Sequence, residues 1–386
     1  MSDRPLRILF ATPAYWPATA FGGPIGKLRE LGEGLAARGH QVRVVTTSLE
    51  GLDGPRTLRT ATRTVGAVEV AYAATPLRFR WMGITPTLPL LLRRLPRPDV
   101  VHVFGFRDVV GTVTAAWCAA TGVPYVFEPL GMFRPRLRKV LLKRLLDETA
   151  FRFVPRRAAA VVAASARERD DVLAGGIEAS RVELRPNGFP QVAGASGGNA
   201  LRARLGIGDA PLALYVGRIA AGKGIEFLLD AARALPDLHA VLAGPDDGHG
   251  TGRLVRAAES ADGTRGRVHW LGIHDRPAEL YGEADVVVLA SEGESFGSAA
   301  AEAAAAGAAV VVTDRCGVAE LLGPGGGAVV VPYDARAVVD AIGRVAGDAG
   351  LRALLGARAR QVAEEHSWQR AVEDQERIYR RVLDGR

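Results

Sequence analysis

The sequence predicts an α/β protein made of two doubly wound domains, and three observations lead to this prediction. Short runs rich in β-branched residues alternate with helical patterns along the chain, as in folds with a parallel sheet. Many of these runs are continuously apolar, which is typical of parallel strands covered on both faces. The alternation begins again at Leu212, after the stretch Phe189–Ala200, whose Gly, Ser and Pro content is that of a linker.

The first series contains seven predicted strands with helices between them. These strands are Arg7–Ala11, Gln41–Thr46, Ala67–Tyr72, Val100–Phe104, Tyr125–Phe127, Ala159–Ala163 and Val182–Arg185. The first helix is predicted over Gly26–Arg38, because Gly39 follows it in the position that glycine favours after a helix C-terminus.

The second series contains six predicted strands, followed by a charged amphipathic helix over Ser367–Leu383. These strands are Leu212–Val216, Ala240–Ala243, Val268–Leu271, Val286–Ala290, Ala309–Val312 and Ala328–Val331. A chain of 386 residues suits two domains of ordinary size. We therefore expect a first domain over residues 1–188 and a second over residues 189–366, with ligands at the carboxyl ends of the strands.

The composition indicates a globular protein without a membrane-spanning helix. Apolar residues make up 48% of the chain, and no window holds the 18 or so uncharged apolar residues that a spanning helix needs. The N-terminus enters a strand directly and lacks the apolar core and cleavage site of a signal peptide. Cys118 and Cys316 stand far apart in apolar stretches, which favours two buried, unpaired thiols in a cytoplasmic protein.

Charge is distributed unevenly between the two halves. Residues 1–188 carry 28 Lys and Arg against 16 Asp and Glu, whereas residues 189–386 carry 21 against 26. No nucleic-acid recognition motif accompanies the basic half, so we expect no nucleic-acid partner. The most basic segment, Phe133–Arg157, has nine Lys or Arg around a leucine stripe. It is either a peripheral contact to an anionic membrane surface or a helix packed on its own sheet with a solvated basic face.

The segment ASEGESFGSAAAEAAAAGAAVVVT, Ala290–Thr313, has the clearest chemical pattern in the chain. It predicts a strand, a loop that holds Glu294, an alanine-rich helix that holds Glu302, and another strand. Where the loop enters the helix, free N–H groups and the helix dipole favour an anion. Carboxylates beside an anion site are suited to accept hydrogen bonds from hydroxyl groups. A phosphate flanked by hydroxyl-rich groups has the outline of a nucleotide-sugar.

Two cations follow a predicted strand end in VGRIAAGKG, Val216–Gly224. Arg218 and Lys223 there can hold a diphosphate and offset the charge that grows as it leaves. The glycines around them let the backbone come close to a ligand. The alternative is that both are ordinary surface cations.

These segments resemble signatures of the family 4 retaining glycosyltransferases, enzymes of the GT-B fold. FGGPIGKLRELGEGLAARGHQVRVVTT, at Phe21–Thr47, resembles the family's N-terminal Gly-Gly loop, first helix and second strand. Together with RPNG at Arg185–Gly188, the VGRIAAGKG loop and the E-x7-E run, four segments appear in the family's order. The resemblance implies two Rossmann-like domains that face each other across a cleft. It also implies an acceptor-binding first domain, a donor-binding second domain, and a C-terminal helix, about residues 367–386, that crosses back to the first.

The resemblance also implies roles for individual residues. Arg218 and Lys223 would stabilise the leaving diphosphate and Glu294 would contact the hexose, so these three are the candidates for catalysis. Glu302 would accept hydrogen bonds from the ribose hydroxyls. The remaining residues expected to bind the donor lie in two loops, and these are Gly22, Gly23, Phe296, Gly297 and Ser298.

Several of these assignments have a structural alternative. Either glutamate of the E-x7-E run could be an acid at the positive end of a helix. Gly22 and Gly23 could form a simple turn, and their spacing to Gly26 does not match a dehydrogenase fingerprint. Gly317 and Glu320, in CGVAE, resemble a family turn below the donor site.

The sequence departs from the family in YVFEPLGMFRP, Tyr125–Pro135. Many relatives carry Pro-His-Gly there, and Leu130 takes the place of the histidine. Glu128 is the only ionisable residue before it, and it is either a buried structural acid or a contact to the acceptor, which would suit an amine-bearing acceptor. His102, near a strand end, is likewise either structural or a contact to the acceptor.

We therefore expect a retaining glycosyltransferase. It would move a hexose from a nucleoside diphosphate sugar, most favourably a UDP-sugar, to a hydroxyl of a small molecule or a glycan, such as a natural product or a cell-surface glycan. The sequence lacks H-E-x-x-H, paired Cys-x-x-Cys and D-x-D motifs, so we expect neither a catalytic metal nor another cofactor. The alternatives are a nucleotide-sugar epimerase of the same fold and a donor-binding protein without turnover.

Overall fold

A computed structural model describes residues 4–51, 59–79, 82–134, 151–191, 198–274 and 276–385. The chain divides into two compact units, each with its own sheet. Unit 1 comprises residues 1–187 and 368–386, and unit 2 comprises residues 188–367. The basic segment predicted at Phe133–Arg157 lies largely outside the described residues, because 135–150 are not among them.

Unit 1 is built on an eight-stranded sheet with the order β10-β9-β8-β7-β1-β2-β4-β3. The strands of the unit, including the separate hairpin of β5 and β6, are β1 (Arg7–Ala11), β2 (Gln41–Thr47), β3 (Ala61–Val65), β4 (Val68–Ala73), β5 (Leu77–Phe79), β6 (Met82–Ile84), β7 (Val100–Phe104), β8 (Tyr125–Glu128), β9 (Ala160–Ala163) and β10 (Val182–Leu184). Strand β3 pairs antiparallel with β4, and the other pairs in the large sheet are parallel.

Helices cover both faces of this sheet and account for its continuously apolar strands. The helices of the main part of unit 1 are α1 (Gly23–Ala37), α2 (Leu88–Arg94), α3 (Val109–Thr121), α4 (Phe153–Arg157) and α5 (Ala166–Ala174). Strands β7, β8 and β9 are buried along their whole length, as expected for parallel strands between two helical layers. Alternate residues of β1 enter different cores, Ile8 and Phe10 on one face and Leu9 and Ala11 on the other.

The C-terminal helix (Trp368–Asp384) belongs to unit 1, which confirms its predicted return to the first half of the chain. Its buried positions recur every three or four residues, as in an amphipathic helix, and include Val372 and Tyr379. Val372 lies against Gly34 of α1. The Nε of Arg38, just after α1, donates to Glu376 at 2.6 Å. The sequence predicts the first helix from Gly26, but α1 begins three residues earlier at Gly23, because a proline at the second helical position suits a first turn.

Unit 2 has a six-stranded parallel sheet with the order β13-β12-β11-β14-β15-β16. Its strands are β11 (Leu212–Val216), β12 (His239–Ala243), β13 (Val268–Trp270), β14 (Val286–Leu289), β15 (Val310–Thr313) and β16 (Ala328–Val331). Its helices are α6 (Ala200–Leu205), α7 (Ile225–Ala234), α8 (Thr251–Ser260), α9 (Pro277–Tyr281), α10 (Ser298–Ala306), α11 (Ala319–Leu322), α12 (Ala335–Gly347) and α13 (Ala349–Glu365). Strand order reverses between β11 and β14, and open α/β sheets bind ligands at the carboxyl edge of that reversal point.

The predicted α/β class with parallel sheets in two domains is therefore confirmed. The sequence prediction missed β3 and the β5–β6 hairpin, whose side chains are mostly exposed or half-buried and give no apolar run. Among the described residues, no helix combines the length and the apolar character that crossing a bilayer requires.

Candidate functional site

The loop between β11 and α7 carries the two predicted cations of unit 2. Arg218 is exposed, its carbonyl accepts a 2.9 Å hydrogen bond from the Tyr215 hydroxyl, and its guanidinium forms no ion pair with any other described residue. Gly224, at φ 68°, ends the loop; a Cβ there would lie 2.0 Å from the carbonyl oxygen of Ala290. Only glycine fits that approach, which holds Lys223 against the end of β14.

The loop between β14 and α10 carries the predicted carboxylate Glu294 and the residues that begin the helix. Gly297 precedes α10 at φ 110°, a conformation that favours glycine. No side chain caps the helix there, so its first N–H groups can serve an anion. Phe296 is buried, and its ring meets that of Phe189 edge to face at 5.9 Å. Phe296 is thus a packing residue that fixes the loop, while Ser298 is the half-buried first residue of the helix.

The two loops are joined by an ion pair between Lys223 and Glu294. The Lys223 ammonium donates to Oε1 of Glu294, and the hydroxyl of Ser291 donates to the same oxygen at 3.2 Å. The side chains of Lys223 and Glu294 keep 24% and 22% of their surface exposed, so both stay accessible to a ligand. Backbone hydrogen bonds fix Glu294 further, because its N–H donates to the Arg315 carbonyl and its carbonyl accepts from Gly317, each at 3.2 Å.

Glu302 lies in α10, half-buried, and is held by a residue that the sequence did not indicate. The hydroxyl of Tyr281, the last residue of α9, donates to Oε2 of Glu302 at 3.0 Å. Burial raises the pKa of Glu302, and the hydrogen bond from Tyr281 opposes that shift. Burial also raises the pKa of Tyr281 well above its usual value. Tyr281 therefore stays a donor and keeps one oxygen of Glu302 in place.

Within unit 2, these contacts bring together most of the residues that the sequence predicts for donor binding. The exposed guanidinium of Arg218, the Lys223 ammonium and the Glu294 carboxylate lie on loops at the carboxyl ends of β11 and β14, and Glu302 lies in the helix that follows the second loop. Positive groups on rigid loops can bind a diphosphate, and the carboxylates can accept hydrogen bonds from hydroxyl groups. The N–H of Gly317 donates to the Glu294 carbonyl, whereas Glu320 is exposed in α11.

In unit 1, Gly22 and Gly23 lie at the start of α1, after the loop that leaves β1. Gly22 has φ 86°, and a Cβ added there would meet nothing within 4 Å. No described atom would therefore block a ligand that approaches the backbone from this side of Gly22. Strand order in the unit 1 sheet reverses between β1 and β7, so this loop lies where such sheets bind ligands.

Glu128, one of the two residues predicted to contact the acceptor, is fully buried in an ionic cluster. It ends β8, and its carboxylate accepts from the Lys27 ammonium of α1 and, at 2.7 Å, from Nη2 of Arg185. The exposed fractions of the three side chains are 0% for Glu128, 4% for Lys27 and 0% for Arg185. Burial raises the pKa of Glu128, but the charges of Arg185 and Lys27 outweigh it and lower the pKa to about 2. This geometry favours the structural alternative, and acceptor contact by Glu128 stays a prediction.

His102, the second residue predicted to contact the acceptor, is also fully buried. Its Nδ1 lies 2.7 Å from the Tyr379 hydroxyl of the C-terminal helix, and its ring stacks on Phe104 at 3.8 Å. Its Nε2 lies 3.5 Å from Glu128. Burial lowers the pKa of His102 to about 3, although the charge of Glu128 opposes the shift, so the ring is neutral at pH 7. Leu130, at the position of the family histidine, adopts φ 54° and packs partly buried against the core of unit 1.

Two family models match the chain. One, described as “Glycosyl transferase 4-like domain”, matches residues 22–188. The other, described as “Glycosyl transferases group 1”, matches residues 199–362. Together they match most of the chain.

Relatives of known name agree with these models. The chain is 34% identical over 227 residues to a D-inositol 3-phosphate glycosyltransferase of Xylanimonas cellulosilytica, a match that covers 55% of this chain and 54% of that protein. It is 28% identical over 381 residues to a 2-deoxystreptamine N-acetyl-D-glucosaminyltransferase of Streptomyces fradiae, covering 89% of this chain and 88% of that protein. The match thus spans about half the length of the first relative and most of the second.

Solved structures share the fold over nearly the whole chain. Sucrose-phosphate synthase of Thermosynechococcus elongatus has a TM-score of 0.78 and 22% identity, covering 98% of this chain and 100% of that chain. Anabaena HepE in complex with UDP-glucose has a TM-score of 0.75 and 18% identity, with the same coverage. At this level of identity the likeness shows the fold alone.

Proposed function

We propose that this chain, which belongs to the family 4 glycosyltransferases, transfers a hexosyl group from a nucleoside diphosphate sugar to an acceptor hydroxyl with retention of anomeric configuration. The observation that carries the proposal is the ion pair of Lys223 and Glu294 on the loop that enters α10, with the exposed Arg218 on the same loop as Lys223. Cations can bind the diphosphate, and a carboxylate next to them can bind the hydroxyls of the sugar.

The nucleotide in this proposal is UDP. Glu302 accepts hydrogen bonds from the ribose hydroxyls through Oε1, because Tyr281 already holds Oε2. A UDP-sugar is supported by the similarity in fold to HepE, whose structure contains UDP-glucose. The base itself is not distinguished by any contact described above, so GDP and ADP are the comparison ligands in the test.

The acceptor in this proposal is a small molecule or glycan that bears an amine, bound by unit 1. Support comes from the relative named for 2-deoxystreptamine, an aminocyclitol. Glu128 adds no support, because Lys27 and Arg185 already neutralise it. Peripheral contact with an anionic membrane through Phe133–Arg157 stays a prediction, since most of that segment lies outside the described residues.

The mechanism in this proposal relies on position and charge. The acceptor oxygen attacks C1 on the face that the diphosphate leaves, so that the new C1–O bond forms as the bond to the phosphate oxygen breaks. The departing phosphate oxygen takes the acceptor's proton. Arg218 and Lys223 stabilise the negative charge that develops on the diphosphate, and Glu294 orients the hexose. Because two side chains supply this positive charge, the proposal includes no catalytic metal or other cofactor.

The first test is calorimetric titration with UDP, GDP and ADP. A hydrogen bond to a charged group contributes about 1.5–3 kcal/mol, so we expect Glu302→Ala to weaken UDP binding by about 10- to 150-fold. The matched control is Glu283→Ala, which removes a carboxylate of unit 2 that instead caps α6. Absence of binding by any of the three nucleotides to the folded wild type would overturn the donor assignment.

The second test is transfer, with UDP-hexoses as donors and 2-deoxystreptamine and inositol 3-phosphate as acceptors. Mass spectrometry detects the product, and the proton coupling at its anomeric carbon reports retention. Sugar interconversion without an acceptor would instead indicate an epimerase. Nucleotide binding without turnover on a broad acceptor panel would indicate a donor-binding protein.

A further inference from the structure

We propose that unit 1 holds a second anion site, at the amino ends of its strands, that binds a phosphate-bearing small ligand. A pocket of about 550 Å³ lies there between the ends of β8 and β9, the end of α3 and the C-terminal helix. Its wall includes Tyr125, Ala160, Cys118 and Ile378. We call it the amino-edge pocket, and it does not depend on the proposed transfer activity.

The charged residues of the amino-edge pocket are mostly arginines. Arg157, Arg181 and Arg381 line it, and Glu183 is the one carboxylate among its described lining residues. Glu183 pairs with Arg381 at 2.5 Å. The pocket wall therefore carries two guanidinium charges in excess.

Those two guanidiniums are not neutralised by any carboxylate in the described part of the chain. Arg181 donates from Nη1 to the carbonyls of Arg156 and Ala158, at 2.7 and 3.1 Å. Its Nε is buried without a hydrogen-bond acceptor among the described residues. Arg157 is exposed. An anion in the pocket would therefore meet positive charge that no carboxylate among the described residues offsets.

The two guanidiniums and the Tyr125 side chain belong to the wall of the same pocket. Burial raises the pKa of the Tyr125 phenol, and the positive charges of Arg157 and Arg181 both oppose that shift. They therefore lie within electrostatic reach of the same hydroxyl, whose hydrogen is donated to the Val154 carbonyl at 2.6 Å. This places two forked donors around one cavity, the arrangement that suits phosphate oxygens.

The location separates this pocket from the loops described above. Tyr125 and Glu128 lie at opposite ends of β8, so the pocket and the buried ionic cluster are at opposite edges of the sheet. The volume falls within the range of about 300–1,000 Å³ that small-molecule sites occupy. It therefore suits a phosphorylated metabolite or a lipid headgroup, which share the phosphate chemistry.

The test is calorimetry with glucose 6-phosphate on the full chain, with inorganic phosphate as the smaller probe. We expect saturable binding that Arg157→Glu weakens at least tenfold. Ala119→Trp should weaken it as much, because Ala119 lines the pocket and the new ring fills space without changing charge. Arg59→Glu is the control for net charge, since Arg59 precedes β3 at the far edge of the sheet. Arg218→Ala is the control for binding in unit 2.

The outcomes separate the possibilities. Equal weakening by Arg157→Glu and Arg59→Glu, a loss of binding in Arg218→Ala alone, or no saturable binding would each overturn the proposal. Co-sedimentation with phosphatidylglycerol vesicles, compared with phosphatidylcholine, identifies the source of the phosphate. Vesicle binding that Arg157→Glu and Ala119→Trp both abolish would assign the pocket to a lipid headgroup, and binding of glucose 6-phosphate alone would assign it to a soluble metabolite.

Discussion

Replacing Glu128 by glutamine tests whether this carboxylate is a structural acid or a contact to the acceptor. The variant keeps the size of the side chain but removes the carboxylate that pairs with the buried charges of Lys27 and Arg185. If the carboxylate is structural, the free energy of unfolding of unit 1 should fall strongly. If it contacts the acceptor, KM should rise while stability changes little.

Two arguments give the expected decrease in the free energy of unfolding of unit 1. The pKa of Glu128 falls from 4.5 to about 2 in the folded protein, and at about 1.36 kcal/mol per pKa unit the charged form contributes about 3 kcal/mol at neutral pH. Removing one partner of a buried ion pair costs about 3–5 kcal/mol in general. Since about 1 kcal/mol shifts the melting temperature by about 2–4 °C in a domain of this size, we expect Tm to fall by about 6–20 °C.

The dependence on pH follows from the direction of the shifts. Because the pKa of Glu128 is lower in the folded than in the unfolded chain, the charged carboxylate stabilises the folded state fully above about pH 4.5. This contribution is lost as the pH falls through about 2. Burial lowers the pKa of Lys27, so in Glu128→Gln the lysine can lose its proton as the pH rises. The variant should therefore regain part of its stability in alkaline solution, and Lys27→Met in the same background should regain it at neutral pH.

The assay is differential scanning calorimetry from pH 4 to pH 9, together with acceptor KM. Glu69→Gln is the matched control, because Glu69 forms a partly exposed pair with Arg43 in the same sheet, and such pairs contribute about 0–1 kcal/mol. A Tm within about 2 °C of wild type, with a strongly raised KM, would refute the structural interpretation.

Three further predictions concern the candidate site of unit 2. Lys223→Ala should lower kcat by about 10²- to 10³-fold, as the loss of one charge-stabilising donor does in other enzymes, while Tm stays near the wild-type value. An unchanged kcat in steady-state assays would show that Lys223 takes no part in the chemistry. Affinity for UDP should fall as the pH drops through the raised pKa of Glu302. Tyr281→Phe should move this transition to higher pH, because the hydrogen bond that it removes lowers the pKa of Glu302. Identical titration curves for the variant and the wild type by calorimetry would contradict the role of Tyr281. EDTA should leave kcat unchanged, and activity lost to EDTA and restored by Mg²⁺ would show that a metal takes part.

The sequence predicted those parts of the fold in which burial leaves an apolar run. Strands β1, β7 and β11 begin and end where the sequence predicts, because each lies inside its sheet. Strand β3 has the sequence ATRTV with four exposed residues, and a single antiparallel neighbour holds it in place. Its pairing depends on a contact with β4 and not on a pattern of its own, so no local signal could have found it.

For the two loops of unit 2 that carry Lys223 and Glu294, motif spacing predicted the candidate residues but not the contacts that they make. Lys223 and Glu294 meet because β11 and β14 are adjacent in the sheet, and a doubly wound order makes such neighbours predictable. Tyr281 lies 21 residues from Glu302 in a five-residue helix that carries no motif. The state of Glu128 was undecided for a similar reason. Its partners, Lys27 and Arg185, stand 101 and 57 residues away, in family-like segments that give no signal of a contact with Glu128.

In the proposed mechanism, the pair of Lys223 and Glu294 allows one site to hold both a lysine for phosphate and a carboxylate for a sugar. Each would otherwise be a single charge on a glycine-rich loop, and their contact, supported by Ser291, fixes both side chains in position. Because both are about a quarter exposed, the contact contributes about 0–1 kcal/mol, which a diphosphate carrying at least two negative charges can exceed. We expect that Lys223 turns to the diphosphate when the donor binds, which would leave Oε1 of Glu294 available to a hexose hydroxyl. In this proposal, binding of the nucleotide and orientation of the sugar are coupled, because Lys223 exchanges Glu294 for the diphosphate.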